Sequence, residues 1–111
     1  MKASTALTLW HDVMLGLVTD DGPDLTLRQL AVLLHVYLMP PPHTVRGLAS
    51  TLGVTKPVIT RALDTLGAVD LLTRVRDERD RRNVVIRRTV SGALYVEQLG
   101  DRVVAAALKY R

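Results

Sequence analysis

The 111-residue chain contains no cysteine and no phenylalanine, and aromatic residues make up only 4% of it. Without thiols there are no disulfides, thiolate metal centres, cysteine nucleophiles or thiol redox switches. With so few rings, Leu, Val and Ala must fill the core. No long apolar run is present either. The longest, Leu30 to Pro42, carries His35 and ends in three prolines, so it is too short and too broken to span a bilayer. Lys2 precedes a short apolar stretch, but His11 and Asp12 interrupt it and no small-residue cleavage site follows. The expectation is a soluble, cytoplasmic protein with no membrane partner.

Phosphate-cradling glycine loops and nucleophile elbows are also lacking. Acid pairs such as Asp77 and Asp80 stand in an arginine-rich loop, a poor place for acid–base chemistry. No enzymatic activity and no cofactor are expected. His11, His35 and His43 lie 24 and 8 residues apart, which fits no local ligand pair, so no metal is expected. His35, inside an apolar helix, reads as a hydrogen-bonded core residue.

Apolar residues make up 48% of the chain and charged residues 23%, a balance that argues against disorder. One domain, residues 1–111, is expected. A first helix, capped by Ser4 or Thr5, runs to Val18, with Leu7, Trp10, Met14 and Leu17 on one face. Asp20 to Asp24 is loop chemistry. Thr26 caps a second helix, LRQLAVLLHVYL, apolar nearly all round and therefore buried, which the prolines 40–42 terminate. Thr44 starts a third helix that stops at Gly53. Thr55 caps a fourth, with Pro57 in its first turn and Gly67 at its end. Two β-branched runs, 72–76 and 84–89, flank the polar segment 77–83 and read as a β-hairpin. Thr89 caps a last helix to Lys109, whose Gly92, Val96, Leu99, Val103, Ala106 and Tyr110 form a coiled-coil-like seam.

The net charge of +4 is not spread evenly. Residues 73–88, TRVRDERDRRNVVIRR, hold seven arginines against three acids, whereas the rest of the chain is neutral. Arginine's planar fork suits phosphates and base edges. Just upstream, Val45 to Leu63 fits a helix-turn-helix. Ala49 is small where two helices cross, Gly53 supplies the turn, and Leu48, Leu52, Val54, Ile59 and Ala62 face inward. Lys56, Thr60, Arg61 and Asp64 fall outward on the second helix, which in this motif enters the major groove. A charged hairpin directly after it is a wing, suited to laying Arg79, Arg81 or Arg82 into a minor groove, with Asp80 holding one guanidinium. The fold class expected is mainly α with a small β-hairpin wing: a winged helix-turn-helix with flanking N- and C-terminal helices.

These residues resemble the MarR family of winged-helix transcription regulators. The resemblance runs from LTLRQLAVLLHV through LASTLGVTKPVITRALDTL to DERDRRNVVIRRTVSG. The last stretch matches the family's wing signature at Asp77, Arg79, Asp80, Arg81, Arg82, Thr89 and Gly92. The resemblance implies a homodimeric repressor on a pseudo-palindromic operator of double-stranded DNA. It carries the recognition helix onto Thr55 to Leu66, with contacts at Thr55, Lys56, Thr60 and Arg61, and the wing role onto Arg79 or Arg81. It also implies a dimer interface from the first and last helices, at Leu7, Trp10, Met14, Leu17, Val96, Leu99, Val103, Ala106 and Tyr110. Residues 1–20 and 89–111 would then serve dimerisation and 24–88 would be the DNA-binding lobe. Trp10 and Tyr37 read first as interface or core residues and second as walls for a small aromatic effector. The chain departs from the family pattern at three points. It has one helix after the wing instead of two, Arg88 where an apolar residue is usual, and Ala68-Val69-Asp70 where a glycine usually precedes the apolar pair. The rival to the regulator is a winged helix serving as a protein-interaction module, or as a subunit of a larger assembly, without sequence-specific DNA binding.

Overall fold

A computed structural model describes all 111 residues. In chain order the elements are α1 (Ala3–Thr19), α2 (Leu27–Leu38), β1 (His43–Thr44), α3 (Val45–Leu52), α4 (Lys56–Ala68), β2 (Leu72–Arg76), β3 (Val84–Arg88) and α5 (Val90–Lys109). They fall into two compact units, Leu25–Leu94 on the one hand and Met1–Asp24 with Tyr95–Arg111 on the other. The expected boundary at residue 88 therefore moves to Leu94, because the first turn of α5 is fastened to the helix-turn-helix unit.

In the Leu25–Leu94 unit, α2 begins at a reciprocal capping box. Gln29 N donates to Thr26 Oγ1 at 3.1 Å and Thr26 N donates to Gln29 Oε1 at 2.9 Å, satisfying two N–H groups that a helix start leaves without partners. The helix buries Val32, Leu33 and Val36 but leaves Leu27 76% and Leu38 64% exposed. It is covered on one face within its unit rather than all round. Thr44 Oγ1 caps α3 by accepting from Gly47 N at 2.9 Å. Gly53 closes that helix in the left-handed region (φ 68°), with Val54 N donating to Ala49 O at 3.0 Å. The Thr55 side chain makes no cap on α4, and Pro57 alone favours the start. The helix runs through Gly67 to Ala68, and the chain turns at Asp70, which takes φ 58°. That is the left-handed conformation a glycine adopts more cheaply. Ile59, Ala62, Leu63 and Leu66 fix α4 to the core; truncating Leu63 to Ala would cost about 2–5 kcal/mol.

The hairpin forms within a residue of expectation, but the sheet has a third strand. β1 pairs antiparallel with β3 (His43 opposite Ile86), giving the order β1-β3-β2. The buried histidine is His43, not His35. His43 is 6% exposed, its Nε2 is 3.0 Å from Met39 O, and half-buried His35 stands edge-on to it with ring centroids 5.5 Å apart.

Tyr37 is half-buried in this unit and forms a junction. Its hydroxyl accepts from Thr89 N at 3.0 Å and can donate to Leu71 O at 2.9 Å or Thr89 O at 3.1 Å. Thr89 Oγ1 caps α5 by accepting from Gly92 N at 2.9 Å and donates to Asp70 O at 2.7 Å. A methyl group on Gly92 would run into the Tyr37 hydroxyl and the Leu71 carbonyl. The Thr-x-x-Gly pair thus has a steric origin. Threonine fastens the new helix to the α4–β2 turn, and glycine leaves room for the tyrosine.

In the other unit, α1 starts at Ala3, ahead of the expected caps. Ser4 and Thr5 lie inside the helix, where Thr8 Oγ1 donates back to Ser4 O at 2.9 Å. Two ion pairs, Asp12–Lys109 at 3.5 Å from within α1 and Asp20–Arg102 at 3.1 Å from the residue that ends it, join α1 to α5, so the helices run antiparallel. Val13 and Ala106 are buried and line the same cavity. Burial of half-covered Tyr95 pushes its hydroxyl above the usual 10.0, against the pull of Arg102.

Candidate nucleic-acid interface

The inward positions of the helix-turn-helix are as expected. Leu48, Ala49, Ile59 and Ala62 are buried, and Leu52 and Val54 are half-buried. This packing turns the other side of α4 outward. Thr55, Lys56, Thr60, Arg61 and Asp64 are all exposed. Lys56, Thr60 and Asp64, four residues apart, share one face. Arg61 Nε lies 3.4 Å from Pro57 O on its own helix, leaving the rest of the fork open.

The strand register sorts the seven arginines of the basic segment. Leu72, Arg74 and Arg76 lie opposite Arg88, Ile86 and Val84, and directly opposed residues share a face of the sheet. Leu72 and Ile86 are buried, so this face looks into the unit. The three arginines on it each have a partner within the chain. Arg74 Nη2 meets Asp64 Oδ1 at 2.7 Å, Arg76 Nη1 donates to Arg81 O at 2.6 Å, and Arg88 donates to Val36 O at 3.0 Å and Met39 O at 3.2 Å. Arg88 thereby satisfies carbonyls at the C-terminal end of α2, which accounts for a charged residue where an apolar one is usual. Its guanidinium also stands 5.6 Å from the Tyr37 ring centroid.

All seven arginines stay exposed to solvent, and the Arg79, Arg81 and Arg87 side chains make no ion pair. The wing tip is built by its acids. Arg79 N donates to Asp77 Oδ1 at 3.0 Å, and Arg82 donates to Asp80 Oδ1 through both N (3.1 Å) and Nε (3.3 Å). Asp77 N donates to Asn83 O at 3.0 Å and Asn83 N to Asp80 O at 2.9 Å, closing the loop. Asp80 therefore holds Arg82, while Arg79 and Arg81 make no ion pair. The structural work of Asp77, Asp64 and Arg74 is not apparent in the sequence. Nothing in the sequence pattern marks Arg28, which with Thr26 and Gln29 shares a cavity of about 290 Å³ with Arg61 and Thr65 of α4. That adds a second exposed cation beside the recognition helix.

The expected dimer residues do not share one environment. Leu7, Trp10 and Met14 are exposed, and Leu17, Val96, Val103 and Tyr110 are half-buried. Leu99 and Ala106 are buried within the single chain, so in this arrangement they are closed to a second copy. The large apolar residues that α5 exposes are Val90, Leu94, Val104 and Leu108. The small residue Ala106 turns inward because α1 covers that side at Val13. No helix is long and apolar enough to cross a membrane, and no group of three or more metal-ligating side chains is present.

A recognition helix with an outward cationic face, followed by an arginine-tipped hairpin, defines the winged helix-turn-helix class of DNA-binding regulators. Residues 24–83 match the MarR family model, and the chain belongs to the MarR family, whose members are transcription regulators and not enzymes. Among solved structures it is similar to a MarR-family transcriptional regulator from Rhodococcus sp. RHA1, with 27% identity over 97% of this chain and 74% of that one at a TM-score of 0.70. The PcaV transcriptional regulator from Streptomyces coelicolor, in complex with its natural ligand, is 25% identical over 94% and 72% of the two chains, with a TM-score of 0.68. A mutant of S. aureus MepR bound to an oligodeoxyribonucleotide shares the fold at 21% identity over 96% and 72%, with a TM-score of 0.74. No curated protein sequence matches the chain.

Proposed function

We propose that the protein is a homodimeric repressor that binds a pseudo-palindromic DNA operator. Lys56, Thr60 and Arg61 read the major groove, Thr55 contacts the backbone, and Arg79, Arg81 and Arg82 reach the adjacent minor groove. The observation that carries this reading is the sorting of the basic segment. Once Arg74, Arg76 and Arg88 are tied to partners within the chain, Arg79 and Arg81 stand exposed and unpaired at the wing tip, with Lys56 and Arg61 exposed on the recognition helix. Such an arrangement makes most of its affinity through phosphates and its specificity through base edges. The exposed Leu7, Trp10 and Met14 of α1 and Val104 and Leu108 of α5 supply the apolar surface for a second copy, with half-buried Leu17, Val96, Val103 and Tyr110 at its margin.

Selection of bound duplexes from a random library, followed by mobility shifts at rising salt, tests the proposal. A pseudo-palindromic consensus is expected, with binding that falls steeply with salt. Arg61→Ala is expected to weaken binding and relax the consensus at one position. Duplexes bound no better than random DNA at physiological salt would leave the protein-interaction module as the better account. Release by a small aromatic effector belongs to the same reading, supported by the likeness to ligand-bound PcaV. A thermal-shift screen with small aromatic acids checks it.

A further inference from the structure

We infer that the Asp64–Arg74 ion pair is a latch that sets the angle of the wing against the recognition helix. On this inference, which rests on the DNA-binding reading above, both residues position the DNA-reading surfaces and neither is a DNA contact. The charge pattern alone suggests otherwise, since Arg74 belongs to the basic segment and Asp64 lies in line with Lys56 and Thr60. Two observations assign them to each other.

The first is the register. Arg74 sits opposite buried Ile86, on the inward face of the sheet, so its side chain leaves β2 toward α4 and meets Asp64 Oδ1 at 2.7 Å. The second is the rigidity of what lies beyond. Arg76 to Arg81, Asp77 to Asn83, and Asp80 to Arg82 and Asn83 tie residues 76–83 into one body. Such a body moves as a lever, and a side-chain tie from the middle of β2 to α4 restrains it. From Arg74 to the tip is about five residues, or about 17 Å of strand. A swing of about 10° would carry the tip arginines about 3 Å, a full hydrogen-bond length. A carboxylate on the outward face of a recognition helix repels phosphates when bare. Paired with Arg74, its charge is offset and it holds the wing at the angle that serves both grooves.

The absence of cysteine makes the test direct. Spin labels at Glu78→Cys on the wing and Ser50→Cys on α3 report the wing's angle in the free protein. Asp64→Asn, which keeps shape and removes charge, is expected to broaden the distance distribution. The swapped pair Asp64→Arg with Arg74→Asp is expected to narrow it again. An unchanged distribution in Asp64→Asn overturns the latch whatever happens with DNA. The second arm uses the library-selected duplex. With the wing intact, Asp64→Asn is expected to weaken binding about fivefold, the upper range for a partly exposed ion pair. In the Arg79→Ala, Arg81→Ala background it is expected to change nothing. Tighter or equal binding with the wing intact, or the same loss without the wing arginines, overturns the latch. A broadened distribution in a protein that binds no duplex sustains the mechanical tie and overturns the DNA-binding reading instead.

Discussion

Replacing Tyr37 by Phe deletes one oxygen atom and tests the junction at which α2, the α4–β2 turn and α5 meet. That oxygen accepts from Thr89 N and donates to the Leu71 or Thr89 carbonyl. Thr89 O retains the helical bond from Ala93 N at 3.0 Å, so the groups that lose most are Thr89 N and Leu71 O. Two bonds at about 1 kcal/mol each, in a part-buried setting, give a cost of about 2 kcal/mol. For a domain of this size that lowers Tm by about 8 °C. Gly92→Ala attacks the same place by insertion. Its new methyl meets Tyr37 and, less forgivingly, the Leu71 backbone carbonyl. Overpacking adds about 1–3 kcal/mol to the same broken bonds, for a total of about 4 kcal/mol. Because both changes break the same bonds, the double variant should be less stable than Gly92→Ala by only a few tenths of a kcal/mol. Urea titrations of the four proteins measure all three values. A loss below about 0.5 kcal/mol for Tyr37→Phe, or strictly additive losses in the double variant, would refute the shared junction.

Three further outcomes follow from particular residues. Asp70→Gly should raise stability by about 1 kcal/mol, since a left-handed backbone costs an L-residue about that much; a thermal melt reads it, and Asp70→Val should move the other way. Arg88→Met should lower stability by about 1–2 kcal/mol through loss of its bonds to Val36 O and Met39 O, with the salt slope of DNA binding unchanged, while Arg81→Ala should flatten that slope and leave the urea midpoint in place. Tyr95 is held protonated by burial, above 10.0. The unfolded chain ionises first, so its contribution is complete below about pH 10 and lost as pH rises through the folded value. Tyr95→Phe should remove that alkaline decline in urea midpoints measured from about pH 9 to about pH 11.

How far the residues disclosed the structure depends on whether their information is local. The bounds of α2 and α3 could be read directly, because Thr26 with Gln29, Thr44, Gly53 and the prolines all act within a turn of the helix they bound. The start of α1 could not be, since Ser4 and Thr5 suit the inside of a helix as well as its cap when nothing downstream selects between them. β1 is two residues long and follows proline, so it has no period to detect; it exists only because Ile86, forty-three residues on, lies beside His43. The same holds for the arginines. Their number and segment are plain in the sequence, but which of them face inward is set by strand register, and the partners of Arg74 and Arg88 lie ten and about fifty residues away. Leu99 and Ala106 fit an apolar seam, yet a seam does not say whether its cover comes from the same chain or another.

The two-residue strand β1 also bears on the protein's behaviour at high concentration. The run Val84-Val85-Ile86 has the β-branched, uncharged character of an aggregation-prone segment. In the order β1-β3-β2 it occupies the middle of the sheet, with Val85 and Ile86 paired on both sides and Val84 paired on the β2 side. The outer strands are poor templates. β1 is short and is preceded by prolines that have no N–H to offer, and β2 carries Arg74 and Arg76 along its length. The sheet thus places its most adhesive strand at the centre, where β1 covers Val85 and Ile86 on the side away from β2. Substitutions at Pro41 or Pro42 that lengthen β1 would be expected to show first as turbidity on concentration, before any loss of stability is measurable.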